Sequence, residues 1–255
     1  MECKNCSHDF LGTYCNHCGQ KITDRITLKH LGNQIIEDIF DLDQGLLYTV
    51  KQLWINPGTT ALDFIAGRRK RYYGPIKYLL LWTAVYFILS PLIVGDRKTP
   101  SMIDLVFNSH APFSSQSSDD LFTFYLEVIV RHTDLYYLGM IPFFTFLSYV
   151  LFKKRGFFLA ELSIPYLYLA GQIVFVLVMT LPFMALFGDK VVFALLPITF
   201  VFIIYFVVVM HKQFFQESWV KTVLKSLTVI YVGQIISGVI AYGIFNVIKF
   251  LPWFP

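Results

Sequence analysis

The stretch from Arg68 to Val94, RRKRYYGPIKYLLLWTAVYFILSPLIV, constrains this chain more than any other, because it joins a charged first quarter to an apolar remainder. Four consecutive bases, Arg68, Arg69, Lys70 and Arg71, precede two tyrosines and an apolar run from Ile76 to Val94 whose single charge, Lys77, lies at its start. About 20 apolar residues in helix cross the hydrocarbon layer, bases are retained on the cytoplasmic side, and tyrosines favour the headgroup layer. The run therefore reads as a membrane span with a basic collar on the membrane surface, and it places the N-terminus in the cytoplasm.

Composition agrees. The chain is 56% hydrophobic and 15% charged, whereas soluble domains carry about 25% charged residues. Nine of the 21 Lys and Arg precede Tyr72, and others cluster in short segments such as Lys153-Lys154-Arg155 and Lys212, Lys221 and Lys225. The apolar runs between these clusters define five spans, about residues 76–94, 135–152, 160–187, 191–210 and 228–248. With the N-terminus inside and the C-terminus outside, sixteen Lys and Arg lie on the cytoplasmic side and five outside, the asymmetry that orientation by positive charge demands. Residues 96–134 then form an external segment with six acids and three bases. Met1 to Lys21 is polar and lacks the apolar run of a signal peptide, so the first span is expected to direct insertion.

The first 21 residues carry Cys3-x-x-Cys6 and Cys15-x-x-Cys18 within CKNCSHDFLGTYCNHCG. Two such knuckles supply four thiolates to one tetrahedral Zn²⁺ at about 2.3 Å per bond, and Gly19 suits the tight turn that aims backbone N–H groups at sulfur. Disulfides or a redox pair are the alternatives. A reducing cytosol and the lack of a strand–helix context of the thioredoxin type weigh against both. His8 and His17 read as bystanders, since four thiolates complete the shell. Residues 1–21 are thus a zinc ribbon with almost no core, folded by one structural metal. Lys4 and Lys21 are offset by Glu2 and Asp9, which argues against nucleic acid and for a protein partner at the ribbon, or a second copy of the chain.

Residues 22–71 show helical, amphipathic spacing. Leu28, Leu31, Ile35, Ile39 and Leu42 recur at intervals of three and four. Asp43 precedes a second stripe of Leu46, Leu47, Val50, Leu53 and Trp54 that ends at Asn56-Pro57-Gly58, and a third short helix holding Leu62, Phe64 and Ile65 stops at Gly67. A small soluble helical domain is one reading. Cytoplasmic interfacial helices resting on the bilayer and the span ends are the other, favoured because three short stripes bury little among themselves.

Residues 72–255 form the membrane domain, and its few polar groups stand out. Glu161 lies about one turn into the third span, where it could pair with Lys212, Lys221 or the Lys153 triplet, or handle a proton or cation. Gln172 and Gln234 lie deeper, where an amide in hydrocarbon seeks a partner on another helix. No nucleophile–base set, phosphate loop or paired carboxylates lies on one membrane face, so no enzyme is expected.

CKNCSHDFLGTYCNHCGQK, the DLDQGLLYTVKQLWINPGTTALDFIAGRRKRYYGPIKYLLL stretch, ELSIPYLYLAGQ and HKQFFQESWVKTVLKSL together resemble a family of bacterial membrane proteins with an N-terminal zinc ribbon. That family is catalogued only as a domain of unknown function, the DUF3667 type. The resemblance implies a multi-pass inner-membrane protein of no assigned activity. The family pattern sets a histidine after the glutamate where this chain has Leu162. In topology, with Gly74-Pro75 at the first span, the chain also resembles the Yip1-like five-span proteins. The expected architecture is therefore an all-α integral membrane protein, a five-helix bundle preceded by a zinc ribbon and interfacial helices. The expected function is a membrane scaffold that recruits partners or handles membrane lipids. A small transporter or channel using Glu161 is the alternative.

Overall fold

The computed structural model of the chain describes residues 1–21, 45–94, 133–152, 156–187 and 190–249. Beyond the first 21 residues every described element is a helix: α1 Leu46–Ile55, α2 Pro57–Ile65, α3 Pro75–Val94, α4 Thr133–Leu151, α5 Leu159–Phe187, α6 Lys190–Phe215 and α7 Trp219–Lys249. The expected helix over Leu28 to Leu42, its neighbour Asp43, nearly all of the external segment and the Lys153 triplet lie outside the described residues.

Local chemistry sets the boundaries of the short helices. Asn56 alone separates α1 from α2. Its N–H closes α1 onto the Gln52 carbonyl at 2.6 Å, and its own carbonyl accepts from the Thr59 and Thr60 hydroxyls at 3.0 and 2.9 Å. Pro57 begins α2, where a missing N–H costs nothing. The Asn56-Pro57-Gly58 stretch thus opens the next helix as well as ending the first. Gly67 then turns the chain out of α2 with φ +98°, a left-handed conformation that suits glycine.

Among the described residues four helical segments are long and apolar enough to cross a membrane: Pro75–Ile93, Leu159–Phe187, Pro197–Phe215 and Trp219–Ile236. Gly139–Leu151 is a shorter apolar stretch. The chain is a multi-pass membrane protein. Two helices run past the expected span boundaries. The helix expected to end near Met210 runs on to Phe215, because His211 is 1% exposed and faces the bundle. The last helix begins at Trp219, well before residue 228, and its second turn carries Lys225, paired with Glu217 at 2.8 Å.

Helix α5 is the centre of the packing, in contact with α1, α2, α3, α4 and α6. From Ala160 to Val174 every residue but Ser163 is buried, whereas Met179, Phe183, Leu186 and Phe187 further along are exposed. An exposed apolar half of this kind is stable only against lipid or another apolar surface. Gly171 admits the close approach of α3, for a β-carbon there would press on the Tyr78 ring and on the Leu79 backbone.

The short helices dock on this bundle. Leu53 of α1 and Ala61 and Phe64 of α2 are buried in the same core as Tyr168 and Met210. Helices α1 and α2 thus rest on the ends of the long helices. Contact is closest at Gly58, whose N–H donates to the Gln213 side-chain oxygen at 2.9 Å and whose α-carbon abuts the Met210 carbonyl. A methyl group at residue 58 would collide with backbone on α6, which cannot move aside as a flexible side chain can. Gly58→Ala should therefore cost about 1–3 kcal/mol by overpacking, read as a lower midpoint in detergent melting, whereas Thr59→Ala on the exposed face should leave the midpoint near wild type.

Candidate metal centre and buried polar network

The two cysteine knuckles fold as near copies. Cys3 N–H donates to the His8 carbonyl at 3.0 Å and Cys15 N–H to the Gln20 carbonyl at 2.9 Å, five residues on in each case. Ser7 and Gly19, each following a second cysteine, take left-handed conformations with φ +55° and +71°. Isolated antiparallel bridges pair Glu2 with Asp9 and Tyr14 with Lys21. Phe10, 6% exposed, packs with Cys3 and Cys15 as the seat of the unit.

This fold brings all four sulfurs together within 4.8 Å of one another. Cys3 and Cys18 Sγ lie 3.6 Å apart, and Cys6 and Cys15 Sγ 3.7 Å apart. Four sulfurs arranged tetrahedrally about 2.3 Å from one ion would be spaced about 3.8 Å. The four thiols are free, and their spacing is one that could hold a metal ion. The Cys6 N–H, aimed at the Cys3 sulfur, lowers that thiol to about 7 against the opposing effect of burial. At Cys6 the His8 N–H acts in the same direction, but burial and the neighbouring sulfurs of Cys18, Cys15 and Cys3 outweigh it and push the thiol up to about 12. Crowded thiols ionise together only when a cation balances them. His8 and His17 are exposed and stack on each other at 5.2 Å, away from this role.

Gln20, invisible as a site in the sequence, ties the knuckles to the basic collar. Its amide donates to the Gly67 carbonyl at 2.5 Å, and its side-chain oxygen accepts from the Arg69 and Lys70 N–H groups at 3.2 Å each. At 6% exposed, it fastens one unit to the other through backbone atoms alone. The collar itself divides in two. Arg68 pairs with Asp63, and Arg69 lies 5.3 Å over the Phe64 ring and donates to the Phe64 carbonyl. Lys70 and Arg71 are exposed, with Arg71 5.8 Å over the Tyr48 ring. Tyr72 donates to Asp63 at 2.8 Å, and burial, then that carboxylate, raises its phenol well above the ordinary range.

Within the bundle, Glu161 is buried and accepts the Phe158 N–H at 2.9 Å. A glutamate at the third helical position that bonds back to the residue before the helix is half of a capping box. Lys212, one of its expected partners, donates to the Glu217 carbonyl and lies 5.4 Å over the Trp219 ring. Gln172 does bridge helices, accepting from Tyr78 of α3 at 2.6 Å, while Gln234 lines a cavity of about 50 Å³ with Phe144, Tyr166 and Ile230.

A network that no single stretch of sequence reveals crosses the bundle beside it. Ser148 of α4 is hydrogen-bonded to Tyr166 of α5, Tyr166 to His211 Nε2 of α6 at 2.7 Å, and His211 Nδ1 to Ser226 of α7 at 2.8 Å. All four residues are at most 2% exposed. Its signal in the sequence is slight, a histidine beside Lys212 where an apolar run ends.

Fold and site define a multi-pass membrane protein with a four-cysteine knuckle pair at its N-terminus. The family described as Protein of unknown function (DUF3667) matches residues 43–87, which hold α1, α2 and the first half of α3. No curated protein and no solved structure matches the chain.

If the four sulfurs hold Zn²⁺, elemental analysis of the purified chain should find about one zinc per chain. Cys3→Ser combined with Cys18→Ser should remove it. Because the thiols must lose protons to bind, zinc retention should be full at alkaline pH and fall as the medium is acidified. A chain free of metal at pH 8 would contradict the assignment.

Proposed function

We propose that this chain is a non-catalytic inner-membrane scaffold of bacteria, in which a cytosolic zinc ribbon, residues 1–21, is presented to a protein partner by a membrane-anchored platform. The Gln20 clasp carries this reading. A ribbon on a loose tether would need no buried amide holding three backbone groups of the collar. Its outer side offers Leu11, 94% exposed, and Tyr14, 59% exposed, apolar groups that a protein partner would cover. Lys70 and Arg71, both exposed, meet anionic lipid headgroups at the collar, each contributing about 1 kcal/mol near such a surface.

The membrane domain, residues 72–255, has five spans in this reading. Residues 133–151 supply the second, with the N-terminus cytoplasmic and the C-terminus external. The transporter alternative leaned on Glu161, and the capping bond of that carboxylate to Phe158 supplies a structural reason for it.

Two measurements test the proposal. In a background without the native cysteines, a single cysteine at Ser115 should react with an impermeant reagent in intact cells, and one at Ser218 only after permeabilisation. The reverse pattern would overturn the orientation. A photo-cross-linker at Leu11 should capture one defined partner in cells, and capture should be lost in the Cys3→Ser, Cys18→Ser pair and weakened in Gln20→Ala. Absence of any cross-link, together with proton- or cation-coupled flux in proteoliposomes, would replace the scaffold with the transporter.

A further inference from the structure

Helix α6 presents two faces. Phe206, Val207, Met210, His211 and Phe214 are buried in the bundle, whereas Val201 and Tyr205 on the opposite side are 64% and 58% exposed. On that outer side Val201, Ile204, Tyr205, Val208, Val209 and Trp219 line an open groove of about 420 Å³, within the range of about 300–1,000 Å³ that ligand sites commonly occupy. Trp219, the first residue of α7, reaches back from the α6–α7 turn to complete its wall.

The stripe does not end with the groove. Residues 201, 205, 208 and 212 recur at intervals of four, three and four, so they share one side of the helix, and the last of them is Lys212. Its ammonium lies 5.4 Å over the Trp219 ring and donates to the Glu217 carbonyl. An ammonium has three protons to donate, and among the described residues no carboxylate pairs with this one. Both oxygens of Glu217, the acid in the adjoining turn, accept from Lys225 at 2.8 Å. A cation with donors to spare thus stands at one end of an apolar groove, with an indole between them. Either feature alone is ordinary for a membrane helix, and their alignment on one stripe is the informative part.

Length and position select the occupant. From Val201 to Lys212 the helix rises about 16 Å, close to one leaflet of a hydrocarbon layer about 30 Å thick. The groove belongs to Pro197–Phe215, a segment long and apolar enough to cross a membrane. Indoles and lysines favour the border between hydrocarbon and headgroups. An apolar groove of leaflet length with a positive charge at its headgroup end is the complement of an acyl chain joined to a phosphate. A second copy pairing through the same face would bring Lys212 no acid, since α6 holds none.

We propose that this face of α6 is a binding site for one anionic phospholipid, with an acyl chain in the groove, the glycerol region against Trp219 and the phosphate on Lys212. The site stands apart from the ribbon and the collar and does not rest on the scaffold reading.

The test reads Trp219 fluorescence in the full chain with Trp54, Trp82 and Trp253 changed to phenylalanine, which leaves one indole. The protein is reconstituted in phosphatidylcholine vesicles. Dibrominated phosphatidylglycerol or dibrominated phosphatidylcholine, whose bromines quench indole on contact, then replaces a rising share of the lipid. Half-maximal quenching should come at an about fivefold lower mole fraction of the glycerol lipid, the ratio equivalent to the roughly 1 kcal/mol of one base near an anionic surface. Lys212→Gln should abolish this preference. Lys221→Gln removes the same charge from the other side of α7, about 200° around the helix from Trp219, and should leave the preference intact. Inorganic phosphate in the buffer, at matched ionic strength, should not change it. Equal quenching by the two lipids in the parent chain, a preference that survives Lys212→Gln, or one lost equally in Lys221→Gln would mean ordinary boundary lipid or diffuse surface charge, and would overturn the site. Absence of quenching by either lipid would mean that protein covers this face, and displacement by inorganic phosphate that a soluble anion binds there; each overturns it too. Should the three phenylalanines lower the detergent melting midpoint, native mass spectrometry of the otherwise unchanged chain decides. The ratio of phosphatidylglycerol to phosphatidylcholine retained should fall about fivefold in Lys212→Gln, and an unchanged ratio would overturn the proposal.

Discussion

Hydrocarbon offers no hydrogen-bond partners, and most of the arrangement of this bundle follows from that one deficit. Polar side chains inside it must find each other, and they do so on α5. Tyr166 reaches α4 and α6, Tyr168 donates to the Tyr73 carbonyl at 2.8 Å, and Gln172 accepts from Tyr78. Apolar packing alone would allow these helices to slide or rotate, since lipid tails wet them as well as they wet one another. The hydroxyl and amide contacts fix the register. They occupy the half of α5 that is buried, and the other half, without them, faces outward.

The same deficit explains how the N-terminal parts attach. Thr49 of α1 accepts the Tyr73 N–H at 2.7 Å and donates to the Gly45 carbonyl, which satisfies backbone just where the chain turns from collar to span. Gln20 does likewise for the turn at Gly67 to Lys70. Each attachment pairs a side chain with main-chain atoms, so each holds a shape and is indifferent to which side chains the partner segment carries.

Periodicity, charge and cysteine spacing made much of this legible in the sequence. The span at Pro75 to Val94, the amphipathic stripes that became α1 and α2, and the meeting of Cys3, Cys6, Cys15 and Cys18 all depend on residues close together in the chain. What stayed hidden depends on distant pairs. His211 meets Tyr166 across 45 residues, and Gln20 meets Gly67 across 47. A histidine beside a lysine at the end of an apolar run looks like the edge of a membrane, because the sequence shows its polarity and not its partners. Glu161 stands out in the sequence as a charge in an apolar region, and one of its partners, the Phe158 N–H, lies only three residues away.

The last turns of α6 carry two kinds of contact on different sides. His211 points into the bundle, and Gln213, two residues on and so about 200° around the helix, holds Gly58 of α2. Backbone rests on backbone there, with no side chain between to take up slack. Mechanically, α6 is an axle with a cam at each side: any rotation that rearranges the interior contacts of His211 sweeps Gln213 through an arc, and α2 and the collar turn that follows it at Gly67 must travel with it. The interior contacts of α6 and its hold on α2 at Gly58 are thus carried by the same turns of one helix.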